Sequence, residues 1–168
     1  MRELTGARPM ERDMKQTQVR RLAPPDVELL RALNALFAQA FAGPQTSTAA
    51  ADDAYLKSLL SRDHIIVLVA EAQGEVLAGL VAYELEKLEQ ARSELYIYDL
   101  AVAAPYRRRG LSTALIGELR EIAAASGAWA VFVQADYGDE PAIALYESVG
   151  TRRDVLHFDI QPGPPIAK

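Results

Sequence analysis

The stretch 98–112 constrains the fold of this chain most strongly, because an apolar strand pattern there runs through Pro105, three arginines and a glycine into a helical pattern. Gly110 allows a tight turn, and the first turn of the following helix adds N–H groups without helical partners. Such a helix start is a site for anions. The guanidinium groups at 107–109 add forked donors for phosphate oxygens. The sequence therefore predicts a phosphate cradle at this junction.

The cradle does not match two common phosphate-binding loops. Neither G-x-x-x-x-G-K-[ST] nor G-x-G-x-x-G occurs, which argues against ATP or a dinucleotide bound in the usual way. The run RRRGLS at 107–112 instead resembles the [Q/R]-x-x-G-x-[G/A] acetyl-CoA signature of the GNAT N-acetyltransferase superfamily, with Ser112 in place of the usual Gly or Ala. On this motif alone, a solvated loop or a nucleic-acid patch is the alternative.

Composition limits the class of protein further. The length of 168 residues suits one domain, and 50% hydrophobic residues suit a globular chain with a sizeable core. The net charge of −5 argues against general nucleic-acid binding and is compatible with a cationic substrate. The sequence has no cysteine, so acyl transfer without another nucleophile must be direct.

The remaining patterns concern location and domain organisation. No apolar run reaches the length of a membrane span, and the N-terminus lacks the apolar core of a signal peptide. We therefore expect a cytoplasmic enzyme with no membrane partner. Residues 1–16 are polar and aperiodic, and we expect a disordered leader before a single domain at 17–168.

Hydrophobic periodicity predicts the element order β-α-α-β-β-β-α-β-α-β. The strands are expected at 18–22, 65–72, 76–85, 94–102, 128–135 and 155–160, with a hairpin turn at 73–75. The helices are expected after Val27, after a capping Asp52, over 112–126 with Gly127 past its end, and over 141–149. This order is typical of an α/β fold with a mixed sheet, an antiparallel N-terminal meander and a β-α-β crossover flanked by helices.

A second motif lies in the last predicted helix. The segment 141–150 resembles the GNAT pattern A-x-x-L-Y-x-x-x-G, with Ala142, Leu145, Tyr146 and Gly150 at the matching positions. GNAT enzymes often carry Asn three residues before that Ala, where this chain has Asp139, so the amide role is not transferred. Without the upstream loop, Leu145 and Tyr146 would be read as core residues of an amphipathic helix.

A closer resemblance extends over most of the chain from about residue 52 to 160. The strings EQARSELYIYDLAV at 89–102, VQADYGD at 133–139 and HFDI at 157–160 are similar to the gentamicin (aminoglycoside) 3-N-acetyltransferase family. The resemblance implies a GNAT fold, transfer of acetyl from acetyl-CoA to the 3-amino group of aminoglycoside antibiotics, resistance to them, and a homodimer. The alternatives are a GNAT enzyme for polyamines or protein amines, and a non-catalytic acetyl-CoA-binding module.

The catalytic candidates are Asp99 and Tyr146. Strict alternation places Asp99 in phase with Leu95, Ile97 and Ala101, as a carboxylate on an apolar face. Burial could then raise its pKa toward the range of a general base, while a structural hydrogen bond or an anchor for an ammonium group are the alternatives. Its motif places Tyr146 as the acid that protonates the coenzyme thiolate.

The binding candidates fall into two groups. The coenzyme is expected to contact the strand end, the cradle and the second motif, at Leu100, Ala101, Val102, Arg107, Arg108, Arg109, Gly110, Leu111, Ser112 and Ala142. A cationic acceptor is expected to contact carboxylates, at Glu89, Asp136, Asp139, Glu140 and Asp159. Helix capping is the alternative for Asp139 and Glu140, and solvated surface for Glu89 and Asp159. His64 and His157 are isolated, and we expect no metal site.

Overall fold

The computed structural model describes residues 16–41, 51–160 and 162–163. The leader expected at 1–16 lies outside this range except for its last residue. The described elements are five strands, four α-helices and one 3-10 helix at Ala104–Tyr106. In chain order the strands and α-helices are β1 (Gln18–Arg21), α1 (Val27–Ala40), α2 (Asp53–Leu60), β2 (Ile65–Ala72), β3 (Glu75–Glu86), β4 (Ser93–Val102), α3 (Leu111–Ser126), β5 (Ala130–Val133) and α4 (Glu140–Val149).

The strands form one mixed sheet in the order β1-β2-β3-β4-β5. The first four strands pair antiparallel, and β4 pairs parallel with β5 across the crossover that contains α3. The turn between β2 and β3 has positive φ at Gln73 and Gly74, which is the conformation of a tight hairpin connection. The predicted fold class, meander and hairpin are therefore confirmed.

The apolar core lies on both faces of the sheet. Helix α3 covers one face, where Leu115 and Leu119 are fully buried against Leu95. Helix α1 covers the other face with a stripe at i, i+3 spacing that runs through Val27, Leu30, Leu33 and Leu36. Phe41, which follows the last residue of α1, is exposed. The two faces therefore hold two separate apolar clusters with the sheet between them.

The helix ends follow local chemistry. The Asp52 carboxylate caps α2 by accepting a hydrogen bond from the Tyr55 N–H at 2.8 Å, as its position predicts. Gly127 ends α3 in the left-handed conformation. Among the described residues, no helix is both long and apolar enough to cross a membrane.

The strand expected at 155–160 is wrong for this structure. Residues 151–160 have no helix, turn or strand pairing and are exposed throughout. Their alternating pattern favours an extended chain, but a strand also needs a neighbour for its backbone groups, and no neighbour is present in the described part of the chain.

Candidate active site

A β-bulge at Tyr98 organises the site. In the ladder between β3 and β4, Val81 lies opposite Asp99 and Ala82 lies opposite Ile97, so Tyr98 is the extra residue. The extra residue shifts the alternation of β4 side chains between the two faces of the sheet by one position. Ile97 packs in the α3 cluster, whereas Ala101 packs in the α1 cluster.

The bulge corrects the predicted orientation of Asp99. It does not share a face with Leu95 and Ile97, because the extra residue turns it to the α1 side with Val81 and Ala101. Asp99 is only partly exposed there, and burial raises the pKa of its carboxyl above the usual range. The prediction of a desolvated carboxylate stands, although on the opposite face of the sheet.

The edge of β4 opens beyond the bulge. Parallel pairing with β5 runs from Glu94 opposite Ala130 to Ile97 opposite Val133, and stops there. Residues 98–102 therefore have no strand beside them on this edge within the described structure, although residues 99–102 remain paired to β3 on the other. The free edge includes Leu100, Ala101 and Val102, where backbone groups can pair with an amide-containing ligand.

The free edge leads to the phosphate cradle. Gly110 is the N-cap of α3 with φ +80°, and no side chain caps this helix. The first helical bond runs from the Ala114 N–H to the Gly110 carbonyl at 2.9 Å, so the N–H groups of residues 111–113 have no helical partner. A Cβ at Gly110 would meet nothing within 4 Å, which leaves the space beside these donors open. This arrangement fits a phosphate group.

A groove of about 390 Å³ joins the cradle to the second motif. Residues from β4, the arginine loop, α3 and α4 line it, among them Val102, Arg108, Gly110, Ser112, Pro141 and Leu145. The two motifs, about thirty positions apart in sequence, therefore meet in one groove.

The other coenzyme candidates lie around this groove. The Arg107 Nε donates to the Val102 carbonyl at 3.3 Å, which ties the loop to the strand end. Arg107 and Arg109 are exposed, and Ala142 is half-buried at the start of α4. Ala101 is buried on the α1 side, so only its backbone can face the free edge.

Tyr146 lies on α4 beside the groove residue Leu145. Its ring is half-buried and packs against the α3 cluster. Burial, and after it the charge of Asp139, raises the pKa of the Tyr146 hydroxyl. The phenol therefore stays protonated at neutral pH, as a proton donor must.

Sequence analysis missed an aromatic wall around Asp99. The Tyr98 ring meets those of Tyr83 and Tyr96 edge-on at 5.6 and 5.9 Å, and Tyr96 stacks on Phe132 at 5.0 Å. Burial, and after it the charge of Asp99, raises the pKa of Tyr83. The tyrosines at alternate positions of β4 could have indicated such a wall from the sequence. Tyr83 lies on β3, so its place in the wall depends on how β3 and β4 are paired.

The acidic loop after β5 lies at the same end of the sheet as Asp99, because β4 and β5 run parallel. Asp139 caps α4 by accepting from the Ala142 N–H at 3.2 Å, so the capping role weighed for it is present. The Asp139 N–H donates to the Asp136 carbonyl at 3.2 Å, which fixes the turn between them. Asp136 and Glu140 are exposed.

The other two carboxylates proposed for the acceptor do not join this group. Glu89 lies in the turn before β4, close to Lys87 at 3.6 Å and Arg92 at 3.7 Å. The six residue-to-residue steps from Ser93 to Asp99 span about 20 Å of strand, so Glu89 is at the opposite end of the sheet. Asp159 is in the exposed C-terminal segment, 3.1 Å from His157.

Residues 30–151 match the model of the acetyltransferase (GNAT) family. The chain therefore belongs to the GNAT family of acetyltransferases, whose members use acetyl-CoA.

Some proteins that are similar to this chain have a more specific description than the family. An aminoglycoside acetyltransferase from an uncultured soil metagenomic sample is 51% identical, with a TM-score of 0.83 over 88% of this chain and 99% of that one. A second such enzyme from soil, solved in complex with sisomicin, is 30% identical, with a TM-score of 0.82 over 89% of this chain and 98% of that one. An uncharacterized protein of Mycobacterium leprae is 30% identical over 88% of this chain, which spans only 38% of that protein.

Proposed function

We propose that this protein transfers acetyl from acetyl-CoA to the 3-amino group of aminoglycoside antibiotics, as a homodimer, and so confers resistance to them. The observation that carries the proposal is the free edge of β4, which runs from the bulge at Tyr98 to the cradle at Gly110. The description of two structural relatives as aminoglycoside acetyltransferases supports the choice of acceptor.

The donor is held along that edge. The unpartnered N–H groups at the start of α3 and the guanidinium groups of residues 107–109 bind the pyrophosphate. Backbone groups at Leu100, Ala101 and Val102 bind the pantetheine amides. The groove between α3 and α4 then directs the thioester toward Asp99 and Tyr146.

The acceptor is a polycation, and two features support it. Asp136, Asp139 and Glu140 put three carboxylates at the Asp99 end of the sheet, in a chain of net charge −5. The rings of Tyr83, Tyr96 and Tyr98 offer flat apolar surface and electron-rich faces for ammonium groups. Long-range attraction by the carboxylates raises the rate of encounter with such an acceptor.

The chemistry is a direct displacement. The acceptor amine loses a proton to Asp99, directly or through water, and its nitrogen attacks the thioester carbonyl carbon. A backbone N–H at the end of β4 stabilises the oxyanion. The carbon–sulfur bond then breaks, the Tyr146 hydroxyl gives its proton to the departing sulfur, and the second proton of the attacking nitrogen returns to the tyrosinate, which leaves a neutral amide.

A panel of acceptors tests the proposal. The purified protein is supplied with acetyl-CoA and, in separate reactions, an aminoglycoside, spermidine or a lysine peptide, and free thiol release is followed. We expect the highest kcat/KM with the aminoglycoside. A preference for spermidine or the peptide would assign a different acceptor. If no acceptor gives thiol release, the protein would be a non-catalytic acetyl-CoA-binding module.

A further inference from the structure

Gly79 lies in β3, the central strand of the sheet, directly beneath α1. A Cβ added to Gly79 would overlap the Cδ1 methyl of Leu33 and would lie 3.1 Å from both the Leu33 Cδ2 and the Leu68 carbonyl oxygen. A glycine inside a strand often marks the close approach of another part of the chain. The missing side chain therefore allows Leu33 of α1 to pack directly on the backbone of β3.

The packing around Leu33 leaves little freedom for adjustment. Leu33 is fully buried in the apolar cluster under α1. Protein interiors are close-packed, so its methyl groups can move only if their neighbours or the whole helix move as well. Ala101, the partner of Gly79 in the ladder with β4, is also small and belongs to the same cluster. Two small residues side by side therefore set the distance between α1 and the sheet.

Asp99 lies close to this contact. Gly79 pairs with Ala101, and Val81 pairs with Asp99, so the two pairs are two residues apart along each strand and lie on the same face. This separation is about 7 Å. Val81 also packs against the cluster under α1. The position of α1 above Gly79 therefore bears on how much water reaches Asp99.

Charged neighbours do not account for the state of Asp99, because burial raises the pKa of its carboxyl. The nearest titratable groups are the tyrosines, and burial first, with the charge of Asp99 as a smaller cause, raises the pKa of both Tyr83 and Tyr96. The other titratable or charged groups of the surrounding elements are Tyr98 on β4, Glu28 and Arg31 on α1, Asp53, Tyr55 and Lys57 on α2, and the carboxylates of Asp136, Asp139 and Glu140. Arg31 pairs with Asp53 at 2.5 Å.

We propose that Gly79 is a positioning residue for the proposed reaction: because it has no side chain, α1 packs closely on the sheet beside Asp99 and excludes water from that side of the carboxylate. This role rests on the proposed function only in the use that it gives to Asp99. The packing itself, and its effect on Asp99, belong to the free protein. A side chain at position 79 should move α1 away from the sheet and admit water to Asp99.

Gly79→Ala tests this role in the absence of coenzyme and acceptor. The Asp99 carboxyl is titrated by carbon-13 NMR, and we expect its midpoint to fall by about half a pH unit or more, since burial raises its pKa in the wild type. Gly117→Ala on α3 is the matched control, because a Cβ there would meet nothing within 4 Å. It should leave the titration of Asp99 unchanged.

A second substitution separates the contact from general damage to the core. Valine at position 33 lacks both δ methyl groups that the new Cβ would meet. The double variant Gly79→Ala with Leu33→Val should therefore return the Asp99 titration toward the wild type, as expected for coupled residues in contact. If Gly79→Ala does not fold, Leu33→Phe presses on the same contact from the helix side and should lower the Asp99 titration midpoint in its place.

Kinetics connect the contact to the reaction. In Gly79→Ala, the acidic limb of the pH profile of kcat should move to lower pH together with the Asp99 titration. The affinity for acetyl-CoA, measured by calorimetry, should stay near that of the wild type, because the cradle lies at the start of α3. An unchanged Asp99 titration in folded Gly79→Ala, or a lowered one that Leu33→Val does not restore, would overturn the inference. A lowered and restorable titration in a protein that acetylates no acceptor would support the role of Gly79 beside Asp99 and overturn only the proposed reaction.

Discussion

Val81 lies opposite Asp99 in the ladder between β3 and β4, while the next residue, Ala82, lies opposite Ile97. The single extra residue, Tyr98, turns Asp99 toward α1 and the tyrosine rings. Beyond the same bulge the pairing of β4 with β5 stops, which leaves a free backbone edge. One irregularity thus places the carboxylate on one face of the strand and opens the edge beside it.

Asp99→Asn should lower kcat more than it changes the acceptor KM, because it removes a proton acceptor but keeps the shape of the side chain. In the wild type, the rate should rise with pH as Asp99 ionises, at a pH above that of an ordinary Asp because burial raises its pKa. The pH profile of kcat measures both effects. Retention of full turnover and of the same acidic limb would assign Asp99 a structural role.

The same variant should stabilise the free protein at neutral pH. The pKa of Asp99 is higher in the folded than in the unfolded chain, so the ionised carboxylate costs stability as pH rises through the folded pKa. Asn carries no charge, so its advantage should vanish at pH values below the unfolded pKa. Urea unfolding at several pH values measures this difference, and Glu121→Gln at an exposed position of α3 is the control.

Tyr146→Phe should reduce the single-turnover rate by about 10²–10⁴-fold, since it removes a general acid and keeps the packing of the ring. Acetyl-CoA binding, measured by calorimetry, should change little. Tyr137→Phe is the matched control, because Tyr137 is exposed and should leave turnover near wild type. An unchanged chemical step in Tyr146→Phe would remove this residue from the mechanism.

Gly110→Val should weaken acetyl-CoA binding at least tenfold, because its side chain would occupy the open space beside the α3 N–H groups. The left-handed φ also makes the change strained, at a cost of about 1–3 kcal/mol. Gly127→Val is the control for strain, since Gly127 has a similar φ and open surroundings at the other end of α3. Calorimetry measures the acetyl-CoA affinity of both variants, and we expect weaker binding by Gly110→Val. If Gly110→Val binds acetyl-CoA as tightly as Gly127→Val, the cradle is placed wrongly.

Asp136→Asn and Asp139→Asn should each raise the acceptor KM by roughly two- to fivefold with little change in kcat, as expected for exposed charges that hold a cation. Asn caps a helix about as well as Asp, so Asp139→Asn keeps the α4 cap and removes only the charge. Glu121→Gln on α3 is the matched neutralisation away from the site. Salt should weaken acceptor binding more in the wild type than in the two loop variants, and equal salt dependence would place the acceptor elsewhere.

Much of the fold could be predicted because local patterns determine it. Helical spacing from Val27 onward, the cap at Asp52 and the stop at Gly127 each act within a few residues of the chain. The meeting of Gly110 with Leu145 in one groove confirms that the two motifs belong to one region. The assigned roles of these residues stay predictions until the variants are measured.

The remaining features depend on contacts distant in sequence. A period of two assumes an unbroken strand, so it could not place the bulge that turns Asp99 to the other face. The similarity of sequence strings grouped Glu89 with Asp136 as residues that bind the acceptor. The direction of β4 and β5 places the two residues at opposite ends of the sheet. The pattern at 155–160 predicts a strand, but a strand needs a neighbour for its backbone groups, and the described part of the chain does not supply one.

The regiochemistry of the product tests the proposed reaction most directly. The protein should be incubated with acetyl-CoA and sisomicin, and the product analysed by two-dimensional NMR. We expect one acetyl group on the 3-amino nitrogen of the aminocyclitol ring, with one thiol released per acetyl transferred. Acetylation of another nitrogen, or recovery of unmodified sisomicin under conditions where acetyl-CoA binds, would contradict the proposed function.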